Sequence, residues 1–378
     1  MKTYDFALTW SGTIKERFVA LLQAACKKRK LSFLWISEDN AKNVARGLDQ
    51  KSIAIKILLD TEATYNKKGD IYTRICYDVK DSGGVVINDP DRAQAAIDKS
   101  AMHYELINAG IMAPYTVVVR NWEPTTFRLP DEEKKKLGIP FVIKPALGYG
   151  QLGVIRNARG TIREIAQARK FDRGDNFLLQ EKIMPIELGG KRAWFRVFNV
   201  FDTIISCWWD DQANRYEHVG YEEFNKYSLF PLAKIVSKIA AITRMAWFSS
   251  EIAIDEKQGQ KRFLAIDYVN DQCDMTSQSE ASSGVPDLVT QFTANNIVDA
   301  ASGLINNEKI SKRYSIFLRD ATVEIKGLGS SQELLKQAGP KAHYFYNNWR
   351  NKISKIFHRP QPLTGIEKNN SGSYARKR

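Results

Sequence analysis

The sequence predicts a protein of mixed α/β and α+β class, with a small parallel sheet in its amino-terminal part. Strand-like and helix-like segments alternate over residues 4–88, and such alternation is typical of a parallel sheet covered by helices. A short apolar run that ends in Lys144 continues directly into a glycine-rich loop. Farther along, two strand-like segments flank Gly259 and carry acidic residues at matching positions. These last two features point to a binding site.

Length and composition set the class of protein. At 378 residues and 43% hydrophobic content, the chain is long enough for two or three domains with their own cores. No apolar run approaches the ~18–20 residues of a membrane span. Met1–Trp10 predicts a first strand and not a signal peptide, because its apolar part is short and is interrupted by Asp5. The four cysteines lie far apart without a CxxC pair, so we expect a protein of the reducing cytoplasm.

The net charge of +13 predicts an acidic partner, such as a nucleotide, a phosphorylated or carboxylated substrate, nucleic acid or an anionic membrane surface. Much of the excess lies in residues 341–378, where a solvated tail is the simplest interpretation. Aromatic and basic residues alternate over 341–355, a pattern that can bind single-stranded nucleic acid. At helical spacing such aromatics more often pack against the protein, so nucleic acid is not the favoured partner.

The amino-terminal elements follow from the hydrophobic pattern. Apolar runs predict four strands, at residues 4–10, 31–36, 52–59 and 85–88. Helical periodicity predicts helices at residues 13–28 and 40–48. A further helix begins after Asn88 or Asp89, either of which can cap it, and bends or breaks before it ends at Gly110.

The elements of the second half are predicted in the same way. Strands are expected at residues 113–119, 141–143, 176–183, 193–209 (one strand or a hairpin), 250–255 and 262–269. Helices are expected at residues 162–171 and 231–246, and a short helix or an exposed loop at 131–136. The predicted domains are 1–88, 89–284 with a lid-like part at about 115–180, a mostly helical extension at 285–360 and a basic disordered tail at 361–378.

The segment that follows Pro140 predicts a phosphate site. Lys144 ends a strand, and an unpaired ammonium inside an apolar sheet is costly, so we expect it to meet a ligand. Gly148, Gly150 and Gly153 allow the next backbone to turn and to direct its N–H groups at one point. Residues 148–153 also match GxGxxG, but no helix follows, which excludes a dinucleotide fold. The alternative is a hairpin loop with an incidental lysine.

A second signal is a pair of carboxylates across a hairpin. If the turn centres on Gly259, Glu251 and Asp267 face each other. Like charges at opposed positions are destabilising, and a divalent cation would remove the conflict, with Asn270 as a neutral oxygen ligand. Ligands that are all oxygen suit Mg²⁺. The alternative is that both carboxylates are solvated.

The order of these motifs resembles the ATP-grasp superfamily, which includes D-alanine–D-alanine ligase, glutathione synthetase and the amino-acid ligases that modify ribosomal proteins. The resemblance covers about residues 85–272 and implies an ATP-grasp fold preceded by a small α/β pre-ATP-grasp domain. It implies that Lys99, before the segment Ala109–Thr116, and Lys144 bind ATP. The implied phosphate loop contains Gly148, Tyr149, Gly150, Gln151 and Gly153.

The same resemblance assigns the remaining site residues. The segment Phe177–Ile183 is similar to the family's hinge strand, where the backbone binds adenine. The implied adenine-binding residues are Gln180, Glu181, Lys182 and Ile183. Glu187 matches the acid that binds ribose, and Arg196 faces the reacting groups together with Lys144. Glu251, Asp267 and Asn270 match the three positions that hold Mg²⁺ or Mn²⁺.

Two departures from the family pattern bear on the site. The family has Asp and then Glu-x-Asn, whereas here the acids are exchanged and Asp267 and Asn270 are three apart. A β-bulge would restore the geometry, or Asp271 would join the metal ligands. The family's Asn-x-x-Pro-Gly loop is also replaced, by residues 270–279, which leaves the substrate class open.

The resemblance implies an ATP- and Mg²⁺-dependent ligase that joins a carboxylate to an amine, or to a thiol, through an acyl phosphate. The implied partners are an acidic small molecule or peptide and an amine acceptor, and homodimers are common among similar enzymes. One alternative is a small-molecule kinase on the same scaffold that phosphorylates a hydroxyl. The other is a binding module regulated by nucleotide, which docks through its basic carboxyl-terminal region.

Overall fold

The computed structural model describes residues 1–10, 16–148, 150–201 and 203–306. Three predictions lie outside these residues: the helical extension beyond residue 306, the basic tail, and the aromatic and basic segment at 341–355. Tyr149 lies outside them as well. Among the described helices, none combines the length and the apolar character that a membrane span needs.

The amino-terminal part is a parallel sheet with helices packed on it. The four strands, in the order β2-β1-β3-β4, are β1 (Lys2–Thr9), β2 (Phe33–Ile36), β3 (Ile53–Leu59) and β4 (Val85–Ile87). The helices are α1 (Glu16–Lys28), α2 (Ala41–Asp49) and α3 (Ile71–Asp81). The sequence predicted every one of these elements except α3. Its signal was present, because Asp70 caps the helix and Tyr72, Ile75 and Val79 form a buried face at helical spacing.

The next helix breaks in two, as α4 (Pro90–Ala96) and α5 (Lys99–Asn108). Asp89 accepts hydrogen bonds from the first backbone N–H groups of α4. Asp98 does the same for α5, with Ser100 N 2.8 Å from its Oδ1. A side-chain cap needs a non-helical residue, so the second cap interrupts the helix. Lys99 is thereby fixed at the start of α5.

A four-stranded antiparallel sheet follows, in the order β5-β8-β6-β7. Its strands are β5 (Thr116–Val119), β6 (Phe141–Pro145), β7 (Ile155–Ala158) and β8 (Phe177–Gln180), with helices α6 (Asp131–Leu137) and α7 (Ile162–Ala168). The segment for which a helix or a loop was predicted is therefore a helix, α6. Phe141, Ile143, Phe177 and Leu179 form the buried face of this sheet, against Ile165.

A five-stranded antiparallel sheet, in the order β13-β12-β11-β14-β15, forms the centre of the described chain. A short ribbon of β9 (Glu187–Leu188) and β10 (Lys191–Arg192) leads into β11 (Trp194–Val200), β12 (Thr203–Asp210), β13 (Arg215–His218), β14 (Trp247–Lys257) and β15 (Gln260–Asn270). For residues 193–209 the sequence predicted either one strand or a hairpin, and the structure shows a hairpin, formed by β11 and β12. The helices are α8 (Tyr221–Lys226), α9 (Phe230–Thr243) and α10 (Asp287–Ile305).

One hydrophobic core joins the amino-terminal sheet to the five-stranded sheet. Phe6 and Leu8 of β1 share it with Phe198 of β11, Trp247 of β14 and Phe292 of α10. Removing large apolar side chains from water stabilises this arrangement. The predicted domain boundaries remain a prediction, but this shared core holds the loops after β3 and β15 beside each other.

Candidate functional site

Two joined cavities lie between the sheets, with volumes of about 470 Å³ and 660 Å³. The first cavity extends to residues 180–184, at the end of β8. The second cavity extends to residues 62–66, after β3, and to residues 269–272, around the end of β15. Both are lined by Lys99, Gly148, Gly150, Gln151, Trp209, Glu251 and Asp267. These shared residues mark the place where two bound molecules would meet.

Lys144 is buried at the end of β6, with 9% of its surface exposed. Its Nζ donates a hydrogen bond of 2.9 Å to the carbonyl oxygen of Ile266 and lies 5.6 Å from the centre of the Tyr268 ring. Burial lowers the pKa of Lys144 to about 8, although the Asp267 carboxylate opposes that shift. The lysine lines the first cavity, where an anion would restore its usual pKa.

Lys99 connects three parts of the site. Its Nζ donates a hydrogen bond of 2.6 Å to Gly148 O and lies 3.8 Å from Asp267 Oδ1. Gly148 is required for this close packing, because a Cβ there would lie 2.3 Å from Pro145 Cγ. Lys99 thereby brings the glycine loop next to the carboxylate hairpin.

The glycine loop itself has the backbone freedom that the sequence predicted. Gly150 has a φ of +56° and Gly153 a φ of +72°, both in the left-handed region that favours glycine. Gly148, Gly150 and Gln151 line both cavities. Gly153 packs against the ring of Phe171. Its place in the structure is therefore at the base of the loop and not on the cavity wall.

The hinge residues Gln180, Glu181, Lys182 and Ile183 all line the first cavity. The N–H of Glu181 donates to Tyr115 O at 2.8 Å, whereas those of Lys182 and Ile183 donate no hydrogen bond to any described residue. An unpaired backbone donor on a cavity wall is costly unless a ligand or water accepts from it. The hinge can therefore bind the polar edge of a flat ligand.

Glu187 is exposed at the start of β9 and stands outside the cavity lining. The wall near it is made by residues that the sequence analysis did not identify: Arg192, Trp194, Trp209, Asp211 and Gln212. Arg192 and Asp211 form an ion pair of 3.1 Å there. The aromatic residues of β11 and β12 were a usable signal, because tryptophan in a strand that lines a cavity is a frequent ligand contact.

Glu251 and Asp267 face each other across β14 and β15, as the sequence predicted, but the pairing arises differently. The turn lies between Lys257 and Gln260, so it is not centred on Gly259. Irregularities on either side of Glu251 shift the register, which gives the pairs Glu251–Asp267 and Ser249–Asn270. Ser249 and Glu251 are two apart and share a face of β14. The bulged strand therefore presents Asp267 and Asn270 to one face despite their spacing.

Arg196 of β11 forms an ion pair with Glu251, its Nη2 lying 2.5 Å from Oε1. Trp194 Nε1 donates to the other carboxylate oxygen at 3.1 Å. Burial alone would lower the pKa of Arg196. The adjacent Glu251 carboxylate raises it by more than burial lowers it, so the pKa lies above its usual value. The guanidinium lines the second cavity and remains charged.

Asp267 is held as a carboxylate. Burial favours its neutral form, but the charges of Lys99, Lys144 and Arg196 hold its pKa below the usual value. Its buried Oδ1 has no hydrogen-bond donor among the described residues.

An ionised oxygen without a donor is suited to a cation, so Asp267 fits Mg²⁺ by its chemistry, and Asn270 offers a neutral oxygen. Glu251 could contribute only if it gave up a hydrogen bond from Arg196 or Trp194. In the described ranges no group of three or more His, Cys, Asp or Glu side chains could hold a metal.

The wall of the second cavity is held from behind by Asp60, which is 4% exposed. Its carboxylate accepts hydrogen bonds from Thr9 Oγ1 at 2.8 Å, Ala63 N at 3.1 Å and Tyr65 Oη at 3.1 Å. Gln272 Nε2 donates to Ala63 O at 2.5 Å and ties the two loops together. The loop after β3 carries no recognised motif, so the sequence analysis did not predict that it forms part of this wall.

No protein-family model matches the sequence, and no curated protein is similar to it. Solved structures do match. D-alanine–D-alanine ligase from Bacillus anthracis, complexed with ATP, is 14% identical with a TM-score of 0.52, covering 81% of this chain and 99% of that chain. The RimK-domain ATP-grasp protein from Sphaerobacter thermophilus is 16% identical with a TM-score of 0.51, covering 78% and 98%. D-cycloserine synthetase DcsG is 12% identical with a TM-score of 0.53, covering 78% and 99%.

Almost the whole length of each of these three structures aligns with this chain. The expected fold class, α+β with an α/β part in front, is confirmed. The chain has the fold of the ATP-grasp superfamily.

Proposed function

We propose that this protein is an ATP- and Mg²⁺-dependent ligase that joins a carboxylate to an amine. The observation that carries the proposal is the junction of the two cavities at Lys99, Glu251 and Asp267. One cavity has unpaired hinge donors and a buried lysine, which suit a nucleotide. The other has room for a second reactant, and Arg196 lies on its wall.

Each residue has a role in this proposal. The backbone of Lys182 and Ile183 binds the adenine edge, and Lys99, Lys144 and the glycine loop hold the phosphates. Glu251, Asp267 and Asn270 hold Mg²⁺, or Mn²⁺ in its place. When bound, the metal neutralises phosphate charge and polarises the phosphoryl group. Ribose binding by Glu187 remains a prediction.

The reaction needs positioning and charge stabilisation more than a protein nucleophile. A carboxylate oxygen of the donor attacks the γ-phosphorus, the bond to ADP breaks, and an acyl phosphate forms. The amine nitrogen then attacks the acyl carbon, loses a proton, and phosphate leaves. Arg196 stabilises the negative charge on the reacting oxygens, which is the largest contribution expected of a fixed guanidinium. The names of two similar structures, a D-alanine–D-alanine ligase and a D-cycloserine synthetase, agree with this reaction class.

Calorimetric titration with a non-hydrolysable ATP analogue, with and without Mg²⁺, tests the nucleotide site. We expect Mg²⁺-dependent binding that weakens about a hundredfold or more in Lys144→Ala and Asp267→Ala, because the first removes a buried charge and the second a metal ligand. Lys135→Ala and Asp39→Ala, at exposed positions, are the matched controls. A folded protein that binds no analogue would contradict the proposal.

A product assay separates a ligase from a kinase. A panel of acidic small molecules and peptides is offered with ATP, each with and without an amine, and phosphate release is followed. A ligase releases phosphate in step with loss of the amine. A phosphorylated hydroxyl product, formed without any amine, would instead establish the kinase. A homodimer and a cytoplasmic location remain predictions that neither assay addresses.

A further inference from the structure

Glu251 is held by two residues that line different cavities. Trp194 lines the first cavity, and its Nε1 donates a hydrogen bond of 3.1 Å to Glu251 Oε2. Arg196 lines the second cavity, and its Nη2 donates to Oε1 at 2.5 Å. The two donors are two positions apart on β11 and share one face of that strand. Both oxygens of an acid that was predicted to bind metal are therefore engaged by the protein itself.

Asp267, which faces Glu251 from β15, differs in this respect. Its buried Oδ1 accepts no hydrogen bond from any described residue, and Lys99 Nζ approaches it only to 3.8 Å. Asp267 is thus open to a cation, whereas Arg196 and Trp194 close Glu251 to one. The candidate metal site has one acid available and one withheld.

Arg196 has unused hydrogen-bonding capacity. Its Nε is buried and has no acceptor among the described residues, and its Nη1 lies 3.5 Å from Ser249 Oγ, at the limit of a hydrogen bond. A buried donor without an acceptor is costly. A carboxylate offers two acceptor oxygens in the geometry that a guanidinium matches. A carboxylate in the second cavity would therefore compete with Glu251 for this side chain.

Each change of partner by itself leaves a buried charge unpaired. A divalent cation that took Glu251 would leave Arg196 without its acid. A carboxylate that drew Arg196 away would leave Glu251, whose side chain is 16% exposed, without its base. Losing one partner of a buried pair is strongly unfavourable. When cation and carboxylate are both present, every charge has a partner, so each favours binding of the other and the coupling is reciprocal.

We propose, resting on the ligase role above, that Arg196 exchanges Glu251 for the carboxylate of the acidic reactant and thereby opens Glu251 to the divalent cation. Arg196 and Trp194 are positioning residues that withhold Glu251 until that reactant arrives. Before then, Asp267 and Asn270 are the available oxygen ligands. The metal site is completed only when the second cavity holds its carboxylate, so ATP is committed to reaction only when there is an acceptor for the phosphoryl group.

The test measures the dissociation constant of Mn²⁺ for the whole chain complexed with the imidotriphosphate analogue of ATP, from the electron paramagnetic resonance signal of free Mn²⁺. Arg196→Gln removes the competing partner, so we expect Mn²⁺ to bind about tenfold more tightly. Glu251→Gln by itself should change the affinity little, because this acid is withheld in the wild type. Arg163→Gln, at an exposed position of α7, is the matched control.

A double variant separates partner exchange from a general effect of charge. Loss of a positive charge strengthens cation binding nearby whether or not Glu251 takes part. In the double variant Glu251→Gln, Arg196→Gln we expect the tenfold gain to disappear, because no carboxylate is released. A gain of the same size in both backgrounds would overturn the inference.

Trp194→Phe keeps the test decisive if Arg196→Gln fails to fold. It retains an aromatic ring but removes the donor to Oε2, so we expect Mn²⁺ to bind about threefold more tightly, and only when Glu251 is present. Trp122→Phe, which changes an exposed side chain, is the matched control. An unchanged Mn²⁺ affinity in folded Trp194→Phe and in folded Arg196→Gln would contradict the inference.

Acetate serves as the carboxylate probe. In the wild type we expect it to lower the dissociation constant of Mn²⁺ about threefold, whereas in Glu251→Gln it should have no such effect. Equal responses to acetate in these two proteins would overturn the exchange of partners, although the nucleotide site would stand. A wild type that does not bind the ATP analogue would reject this inference and the proposed function together.

Discussion

The two joined cavities differ in how their walls are built. The first cavity is lined by residues 144, 145, 148, 150 and 151 and by residues 180–183, two short segments in which the sequence predicted phosphate and hinge residues. The second takes its far wall from residues 62–66, which carry no motif, and from residues 269–272, which lie about two hundred positions away and include the predicted metal ligand Asn270. A site that binds through local backbone can be found by pattern. A site that two distant loops form together cannot.

The two cavities also differ in where their charged residues lie. In the first, the buried cation Lys144 donates a hydrogen bond to a carbonyl oxygen and lines the cavity. At the second, the buried acid Asp60 holds the loop behind the wall, and Asp271 lines the wall itself. Burial, together with Asp60, raises the pKa of Asp271 to about 7. The first cavity thus has a buried charge on its wall, whereas the second also has a buried acid behind its wall that holds the loop in place.

The largest expected effect lies where the cavities meet. Arg196→Met leaves the Glu251 carboxylate buried without its partner, so we expect the free energy of unfolding to fall by about 3–5 kcal/mol in urea denaturation. Arg74→Met, which removes exposed ion pairs with Asp49 and Asp78, should lower the free energy of unfolding far less. Similar losses of unfolding free energy in the two variants would mean that removing an ion pair at the junction costs no more than removing one at the surface.

The second prediction concerns the charge of the second cavity. The pKa of Asp271, about 7 when folded, exceeds the unfolded value of about 4. Between these values the folded state keeps a proton that the unfolded state has lost, so stability falls as pH rises from about 4 to 7. Asp271→Asn removes this dependence, and we expect its stability relative to the wild type to rise by about 4 kcal/mol over that range, the equivalent of a pKa shift of about three units.

Urea denaturation at a series of pH values measures this effect. Asp60 and Lys99 are the charged neighbours that set the shift, the first raising and the second lowering the pKa of Asp271. Asp39→Asn, at an exposed site, should keep the pH dependence of the wild type. A parallel pH dependence in Asp271→Asn would show that the second cavity does not hold its acid in the protonated form.

The third prediction separates two glycines of the phosphate loop. Both have positive φ, but a Cβ at Gly153 would lie 2.7 Å from the Phe171 ring, whereas nothing lies within 4 Å of one at Gly150. We therefore expect Gly153→Ala to lower the free energy of unfolding by about 1.5 kcal/mol and Gly150→Ala by about 1 kcal/mol. Thermal unfolding measures both. A larger loss at Gly150 would reverse our view of which glycine anchors the loop.

The smallest effect tests the support of the second cavity. Asp70 caps α3 through Thr73 N, at 2.8 Å, and also accepts from Thr64 N at 3.2 Å. Asp70→Ala should cost about 1 kcal/mol of stability and speed amide hydrogen exchange in residues 61–66. Thr161→Ala removes the cap of α7 at a similar cost but should leave that exchange unchanged. Equal exchange rates of residues 61–66 in both variants would show that the Asp70 cap does not support the cavity wall.

The carboxylate hairpin shows how far pattern reasoning reaches. Glu251 and Asp267 lie on consecutive strands, so their pairing depends on one turn and could be predicted. The predicted turn, centred on Gly259, lies half a residue from the true centre between Lys257 and Gln260. The register shift beside Glu251 restores the predicted pairing of Glu251 with Asp267. Bulges depend on how the strand packs against its neighbours, which a single sequence does not state. The spacing between Asp267 and Asn270 is explained only by this irregular pairing.

The unpredicted contacts are those between distant parts of the chain. His103 and Tyr268 are 165 positions apart, and Gln272 and Ala63 are 209 apart. No local pattern connects such pairs, since each residue by itself is consistent with an ordinary core or surface position. Their meeting depends on the shared core that packs the amino-terminal sheet against the central sheet.

The sequence by itself determined most of the strands and helices, the glycine loop and the lysine that precedes it; it did not predict the short strands β7, β9, β10 and β13. Those features depend on residue type and near-neighbour spacing, which set the backbone conformations that each segment can adopt. Only the tertiary structure decided that Lys144 meets the Ile266 carbonyl oxygen, that Arg196 neutralises Glu251, and that the loop after β3 forms the far wall. The reason is physical: hydrogen bonds and ion pairs act over a few ångströms, and packing decides which distant side chains come that close.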